Sequence, residues 1–344
     1  MIYFQCDYTE GCHPRILERM MATNMEQTPG YGLDPHCDRA RELVKMACGT
    51  PTADVHFLVG GTQTNTTIIS SVLRPYQGVL SADTGHINGH ETGAIEATGH
   101  KVLVLPNQDG TITGDQVRQY CRNHWADSTH EHLVQPGMVY ISFPTESGTL
   151  YSKAQLMDLY AACQEWELPL MIDGARLGYG LMSPACDLTL SELANLCDVF
   201  YIGGTKCGAL FGEAVVIRNE ALKRDFRYSI KRHGGMLAKG RLLGIQFETL
   251  FEDGLYFEIC KQAVDYALEI RAAFEARGIP MVGSSRTNQQ FAELTAEQMA
   301  AFDGKFCYEV WGPGSQGRTV VRFCTSWGTT RENMDALLAV IARL

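Results

Sequence analysis

The feature that most restricts this chain is an alternation. Seven short apolar runs recur between stretches of helical periodicity: Val55–Val59, Gly78–Ala82, Lys101–Leu105, Met138–Phe143, Leu168–Ile172, Asp198–Ile202 and Glu213–Ile217. They are rich in Val, Ile, Leu, Phe and Tyr and bounded by Gly, Pro or Asp, which reads as strands buried on both faces. Between them, Thr62–Leu73 carries Ile68, Ile69, Val72 and Leu73 at helical spacing. Ser152–Glu167 opens on a capping serine, Ser152, and repeats Leu156, Leu159, Tyr160 and Cys163. Such alternation predicts an α/β fold with a seven-stranded, mostly parallel sheet covered by helices on both faces. Too few residues separate Ile202 from Glu213 for a helical crossover, so the last strand is expected to run antiparallel.

Beyond the sheet the pattern changes. Arg241–Arg277 reads as one long helix with Leu243, Phe247, Leu250, Leu255, Ile259, Val264, Leu268 and Ile270 inward, and Gly254 is where it would bend or break. Shorter strand signals follow at Met281–Gly283, Gln290–Leu294, Cys307–Val310 and Val320–Phe323, then an amphipathic helix over Thr330–Leu344. With 344 residues, two domains are expected: an N-terminal arm and large domain over 1–245, and a small α+β domain over 246–344.

Composition narrows the partners. Twenty-nine Lys and Arg against 39 Asp and Glu leave a formal charge of −10, which argues against nucleic acid or an anionic membrane as partner. Any anionic ligand must then be held by a local site. The twelve cysteines form no C-x-x-C and no zinc-finger spacing, so reduced thiols and a cytoplasmic setting are expected. Asp7 interrupts the N-terminus early and no signal peptide is expected. Val199–Ile217 is apolar but carries Lys206, Glu213 and several glycines, unlike a membrane span.

Three strand ends carry chemistry. Gly60-Gly61-Thr62-Gln63-Thr64-Asn65 follows a strand and opens a helix, where free backbone N–H groups suit a phosphate. By itself it could be only a tight turn. Leu170-Met171-Ile172-Asp173-Gly174-Ala175-Arg176 ends an apolar strand in a carboxylate, which can pair with a protonated pyridine nitrogen or merely cap a turn. Phe200-Tyr201-Ile202-Gly203-Gly204-Thr205-Lys206 ends another strand in a lysine, which in a dry pocket can form a Schiff base and on a surface does nothing. Phosphate turn, acid and amine in that order are the three contacts pyridoxal 5′-phosphate (PLP) requires.

At these residues the chain resembles the threonine aldolases and related β-eliminating lyases, PLP-dependent enzymes with the fold type I, aspartate-aminotransferase-like architecture. Tyr31-Gly32-Leu33-Asp34-Pro35 is similar to the family's Y-G-x-D-P. Gly60–Asn65 is similar to its S-G-T-x-x-N, with Gly60 in place of Ser. His86-Ile87-Asn88-Gly89-His90-Glu91-Thr92-Gly93 is similar to H-x-x-x-x-E-x-G, and Asp173-Gly174-Ala175-Arg176-Leu177 matches D-G-A-R-L. The resemblance implies roles. Lys206 carries the Schiff base, Asp173 keeps the pyridine nitrogen protonated, and His86 stacks on the ring. Gly61, Thr62 and Thr205 join the cofactor contacts, as does Arg176. Arg176 and Arg322 hold the substrate carboxylate, and Tyr31 approaches the site, in its own or a neighbouring subunit of a homodimer or homotetramer. The chain also departs from the family. Pro144-Thr145-Glu146-Ser147-Gly148-Thr149 stands where relatives read E-N-T. His233-Gly234-Gly235-Met236-Leu237-Ala238 lacks the Arg of G-G-G-x-R-Q, and Cys324-Thr325-Ser326-Trp327 replaces a segment that often holds a His.

The expected activity is retro-aldol cleavage of a β-hydroxy-α-amino acid, L-threonine or L-allo-threonine, to glycine and an aldehyde. His86, His130, His132 or an ordered water would take the hydroxyl proton. β-Elimination, or an aldolase for a bulkier substrate, is the neighbouring alternative. PLP binding without turnover is another, suggested by the altered segment around Ser326 and Trp327. A metal-dependent hydrolase built on the His86/His90 pair and His130-Glu131-His132 is a remote one, and no metal is expected.

Overall fold

The computed structural model describes residues 1–344. Seven strands form one sheet: β1 (Asp54–Leu58), β2 (Gln77–Ala82), β3 (Val102–Leu105), β4 (Gln135–Ser142), β5 (Leu170–Asp173), β6 (Val199–Gly203) and β7 (Glu213–Ile217). Their spatial order is β1-β7-β6-β5-β4-β2-β3. β2–β3, β2–β4, β4–β5 and β5–β6 pair parallel, while β7 runs antiparallel to both β1 and β6. The short connection before Glu213 thus does what its length requires.

The apolar runs are continuous because both faces of the sheet are covered, and period two sorts their residues between two cores. Leu170, Ile172, Phe200, Ile202, Ala214 and Val216 face the larger core. Met171, Val199, Tyr201, Val215 and Ile217 face the smaller one. Truncating a fully buried member such as Ile172 to Ala would cost about 2–5 kcal/mol. Of the flanking helices, Lys153–Glu165 starts where its sequence says. Ser152 Oγ accepts from the Gln155 N–H at 3.2 Å, and the Gln155 side chain accepts from the Ser152 N–H at 2.8 Å, a reciprocal cap worth about 1 kcal/mol. Helices Pro14–Ala22, Pro35–Cys48 and Gly114–Ala126 were not singled out by the sequence pattern.

The long helix is two helices. Arg241–Glu252 and Leu255–Ala276 are separated at Gly254, whose φ of 73° is a left-handed conformation open to glycine. Leu255–Ala276 spans two cores: Leu255 to Val264 pack with the large sheet, Ile270 and Phe274 with the small one. The small sheet contains β8 (Gln289–Leu294), β9 (Glu309–Pro313) and β10 (Thr319–Cys324), antiparallel in the order β9-β10-β8. Met281–Gly283 does not form a strand; Met281 makes one isolated bridge to Ala292. The expected Cys307–Val310 run is divided between Phe306–Cys307 and β9. Thr330 caps the final helix, Arg331–Ile341.

The first residues tie the two parts together. Ile2–Tyr3 pairs in parallel with Phe306–Cys307, Phe4 sits in the small core, and Asp7 reaches the large sheet's edge of the cleft. No helix is long and apolar enough to cross a membrane.

Candidate active site

The carboxyl ends of the parallel strands converge on one cleft of about 360 Å³, lined among others by Gly60, Gly61, Thr62, His86, Asp173, Thr205 and Lys206. This is where an open α/β sheet places ligands. At one end the helix Gly61–Val72 begins. Its cap residue, Gly60, offers no side chain to the first N–H groups, and Gly60, Gly61 and Thr62 all line the cleft, so these donors are free for a ligand there. A side chain at Gly60 would meet nothing within 4 Å, so the turn opens onto free space; one at Gly61 would come within 3.3 Å of the Tyr201 hydroxyl.

Asp173 ends β5 buried at the cleft wall. Its Oδ2 accepts from the Tyr140 hydroxyl at 2.6 Å and Asn65 Nδ2 at 3.1 Å, and its Oδ1 accepts from the Ala175 N–H at 3.0 Å. Burial alone would raise its pKa. The Tyr140 and Tyr201 hydroxyls, His86 and the Ala175 N–H outweigh burial and hold it below the usual carboxylate value. Gly174 is required by a close approach: a Cβ there would lie 1.9 Å from the Tyr201 carbonyl oxygen.

Lys206 follows β6 in a half-buried turn. Burial, then the nearby Arg176 charge, lower its pKa, against the pull of Asp7, Asp173 and Glu213. Its Nζ lies 5.9 Å from the centre of the Tyr8 ring. His86 opens a short helical turn, where its N–H donates to Glu146 Oε1 at 2.9 Å and its Nδ1 lies 2.7 Å from Glu91 Oε1. Burial lowers the imidazole pKa, but the Glu91 hydrogen bond and the Asp173 and Glu91 charges carry it above the ordinary histidine value. Asn65 bridges the two acids, donating at 2.7 Å to Glu91 and at 3.1 Å to Asp173.

Comparison with known proteins agrees with this architecture. A family model for beta-eliminating lyases matches residues 4–300. The chain belongs to the beta-eliminating lyase family. This lyase is 28% identical to a low specificity L-threonine aldolase of a Pseudomonas species over 98% of this chain and 96% of that protein. It is 44% identical to the solved structure of Leishmania major threonine aldolase, with a TM-score of 0.96 over 100% of this chain and 99% of that one. A Thermus thermophilus aspartate aminotransferase, 15% identical with a TM-score of 0.69 over 100% of this chain and 91% of its own, shares the fold.

Other expected residues of the lyase are placed differently. Arg176 lines the cleft, but its carboxylate fork is filled from within: Nε and Nη2 bind Asp7 Oδ2 and Oδ1 at 2.6 and 3.0 Å. The bidentate grip expected for a substrate carboxylate is therefore taken, leaving Nη1. Arg322, on β10, is not among the cleft-lining residues. Its Nη1 donates to Gln289 Oε1 at 2.9 Å, its Nη2 donates to the Gln5 carbonyl at 3.1 Å and pairs with Glu309, and its buried Nε has no acceptor. Tyr31 lies away from the cleft of its own chain, in a left-handed conformation (φ 61°), with Lys231 Nζ 5.1 Å from its ring centre. His130 and His132 sit on a separate short turn that contributes nothing to the lining of this chain's cleft. The His86 and His90 rings are 5.7 Å apart, and no group of three or more His, Cys, Asp or Glu side chains gathers as metal ligands.

Several residues in the cleft or buried behind it escaped the sequence reading. Tyr8 and Asp7 arrive from the N-terminal arm, whose path no local pattern encodes. Tyr140 sits two residues before Ser142 on β4 and so on the same side. Glu213 begins an otherwise apolar strand; an acid at a buried strand end is the signal that had marked Asp173.

Proposed function

We propose that this chain is a PLP-dependent carbon–carbon lyase that cleaves L-threonine or L-allo-threonine to glycine and an aldehyde. The observation that carries the reading is the convergence of an uncapped helix start, a buried anionic Asp173 and a half-buried Lys206 on one cleft. That donor set fits the cofactor: Lys206 would hold its aldehyde carbon covalently, Asp173 its ring nitrogen, His86 its ring face, and Gly61, Thr62 and Thr205 its phosphate. When bound, PLP supplies an electron sink for the pair released by the Cα–Cβ bond.

The chain's own residues supply the rest. Burial lowers the Lys206 pKa, which enlarges the neutral, nucleophilic fraction of its amine near neutral pH. Asp173, held ionised by its donors, balances positive charge opposite it. Glu91 accepts the Nδ1 proton of His86, so Nε2 is left as the base for the β-hydroxyl proton. For the substrate carboxylate, Arg176 retains Nη1 in the cleft, whereas Arg322 would first have to leave Gln289 and Glu309. Homodimeric or homotetrameric assembly goes with this reading, and sedimentation of the purified chain tests it.

The primary test is borohydride reduction of the PLP-loaded protein followed by peptide mapping, with label expected on Lys206; label on another lysine refutes the assignment. A product assay then decides the reaction. Glycine plus acetaldehyde from threonine supports aldol cleavage, and an oxo acid plus ammonia indicates elimination.

A further inference from the structure

Glu213 occupies a position that the proposed mechanism leaves without a role. Its Cα is in register with Leu58 on β1 and Gly203 on β6. Leu58 leads into the Gly60–Thr62 turn and Gly203 into Lys206, so this carboxyl lies between the phosphate end and the amine. It is buried and lines the cleft. Oε1 accepts from the Thr205 hydroxyl at 2.8 Å and Oε2 from the Gly204 N–H at 3.1 Å. Thr205 Oγ in turn accepts from the Gly212 N–H at 3.0 Å. The hydroxyl has one proton, and it is committed to Glu213 rather than to the cleft. The titratable groups facing Glu213 are Lys206, Asp173 on β5 and Tyr201 on β6.

An anionic phosphate at the turn would share this cleft with a carboxylate, and of two neighbouring like charges one is driven to neutralise. We propose that Glu213 takes up a proton when a phosphate monoester settles on the Gly60–Thr62 turn, and that the neutral carboxyl releases the Thr205 hydroxyl to the phosphate. The switch follows from donor counting. A protonated carboxyl donates its own O–H to Thr205 Oγ, whose two lone pairs then serve Glu213 and Gly212, and the threonine proton turns into the cleft. The proton comes from solvent and no covalent bond changes. Burial already pushes the Glu213 carboxyl up to about 8, so near pH 7 the group is mostly neutral before phosphate arrives, and the linked proton uptake belongs to the range above about pH 8.

This inference rests on the cofactor reading insofar as a phosphate binds at this turn. The test titrates the full-length apo chain with benzyl phosphate, which has neither aldehyde nor ring nitrogen, at pH 7 and pH 9.5. Glu213 itself raises the Lys206 pKa, so both proteins also carry Lys206→Ala, and the difference between wild-type Glu213 and Glu213→Gln then isolates Glu213. Affinity with wild-type Glu213 should fall at least about tenfold more than with Glu213→Gln over this range. Equal losses overturn the proposal. Should the variant not fold, infrared difference spectra of wild type with ¹³C-glutamate supply the answer. At pH 9.5 phosphate binding should convert a carboxylate band into a protonated-carboxyl band, and no conversion overturns the proposal. Absence of any binding of benzyl phosphate or PLP at either pH defeats the cofactor reading and this inference together. Binding without the linked proton defeats this inference alone.

Discussion

Replacing Asp7 with Asn separates the N-terminal arm from the cleft without changing side-chain shape. Asp7 is 0% exposed and its partner Arg176 13%, and Asn288 Nδ2 also donates to Asp7 Oδ2 at 2.9 Å. Burial alone would raise the Asp7 pKa. The charges of Arg176 and Lys206, with hydrogen bonds from Arg176 and Asn288, bring it instead from 3.8 down to about 2. A depression of that size corresponds to roughly 2–3 kcal/mol of stability at neutral pH. Breaking a buried pair from one side costs about 3–5 kcal/mol because the remaining charge is stranded. The two routes meet near about 3 kcal/mol. At about 2 cal/mol/K of unfolding entropy per residue, a chain of 344 residues would then melt about 4 °C lower. The sign with pH follows from the depressed carboxyl. Its contribution is complete above its unfolded value of 3.8 and is lost as pH falls toward about 2. The assay is thermal and urea unfolding of wild type and Asp7→Asn. The gap should be constant from pH 5 to 8 and close below about pH 4. A gap under about 0.5 kcal/mol at pH 7, within the range of ordinary surface substitutions, would show that the pair does not hold the arm.

Three further outcomes are expected. Asp173→Asn should retain the fold yet lower kcat for threonine cleavage on the order of 10²–10³-fold, since the buried charge that a cationic ring nitrogen would face is gone; unchanged kcat in steady-state assays would contradict its role. Glu91→Gln removes the acceptor that raises the His86 pKa, so the acid limb of the kcat/KM profile should move to lower pH. The same raised pKa contributes stability that is present below the unfolded histidine value and lost as pH rises through the folded one, and the variant's stability should lack that component. Gly174→Ala drives a methyl to within 1.9 Å of the Tyr201 backbone oxygen, which cannot yield as a flexible side chain would. A loss of at least about 3 kcal/mol or failure to accumulate folded protein is expected on expression and unfolding, and near-native stability would refute the close-packing account.

Much of the site was legible because it sits at strand ends. Apolar runs that terminate in Gly60-Gly61-Thr62, Asp173 and Gly203-Gly204-Thr205-Lys206 announce both the sheet and what its carboxyl edge displays. The antiparallel course of β7 was legible from chain length alone. The arginines were less so. Arg176 and Arg322 were marked by the resemblance as grips for a substrate carboxylate, but their internal acids, Asp7 and Glu309, lie 169 and 13 residues away and carry no local signature. Tyr31, assigned by its motif to its own or a neighbouring subunit's site, lies outside the cleft of its own chain, with Lys231 Nζ 5.1 Å from its ring centre.

By itself the sequence determined the parallel sheet, the order of its chemical groups and the helix caps, because each depends on periodicity, connection length or a neighbour three residues away. Tertiary structure alone decided which charges meet. Asp7 crosses from the small sheet to close on Arg176, and Asn65 joins Glu91 to Asp173. Glu213 comes to lie between two strand ends. Those encounters are set by how packed layers bring distant segments within a few ångströms, where burial makes the identity of each partner govern its charge.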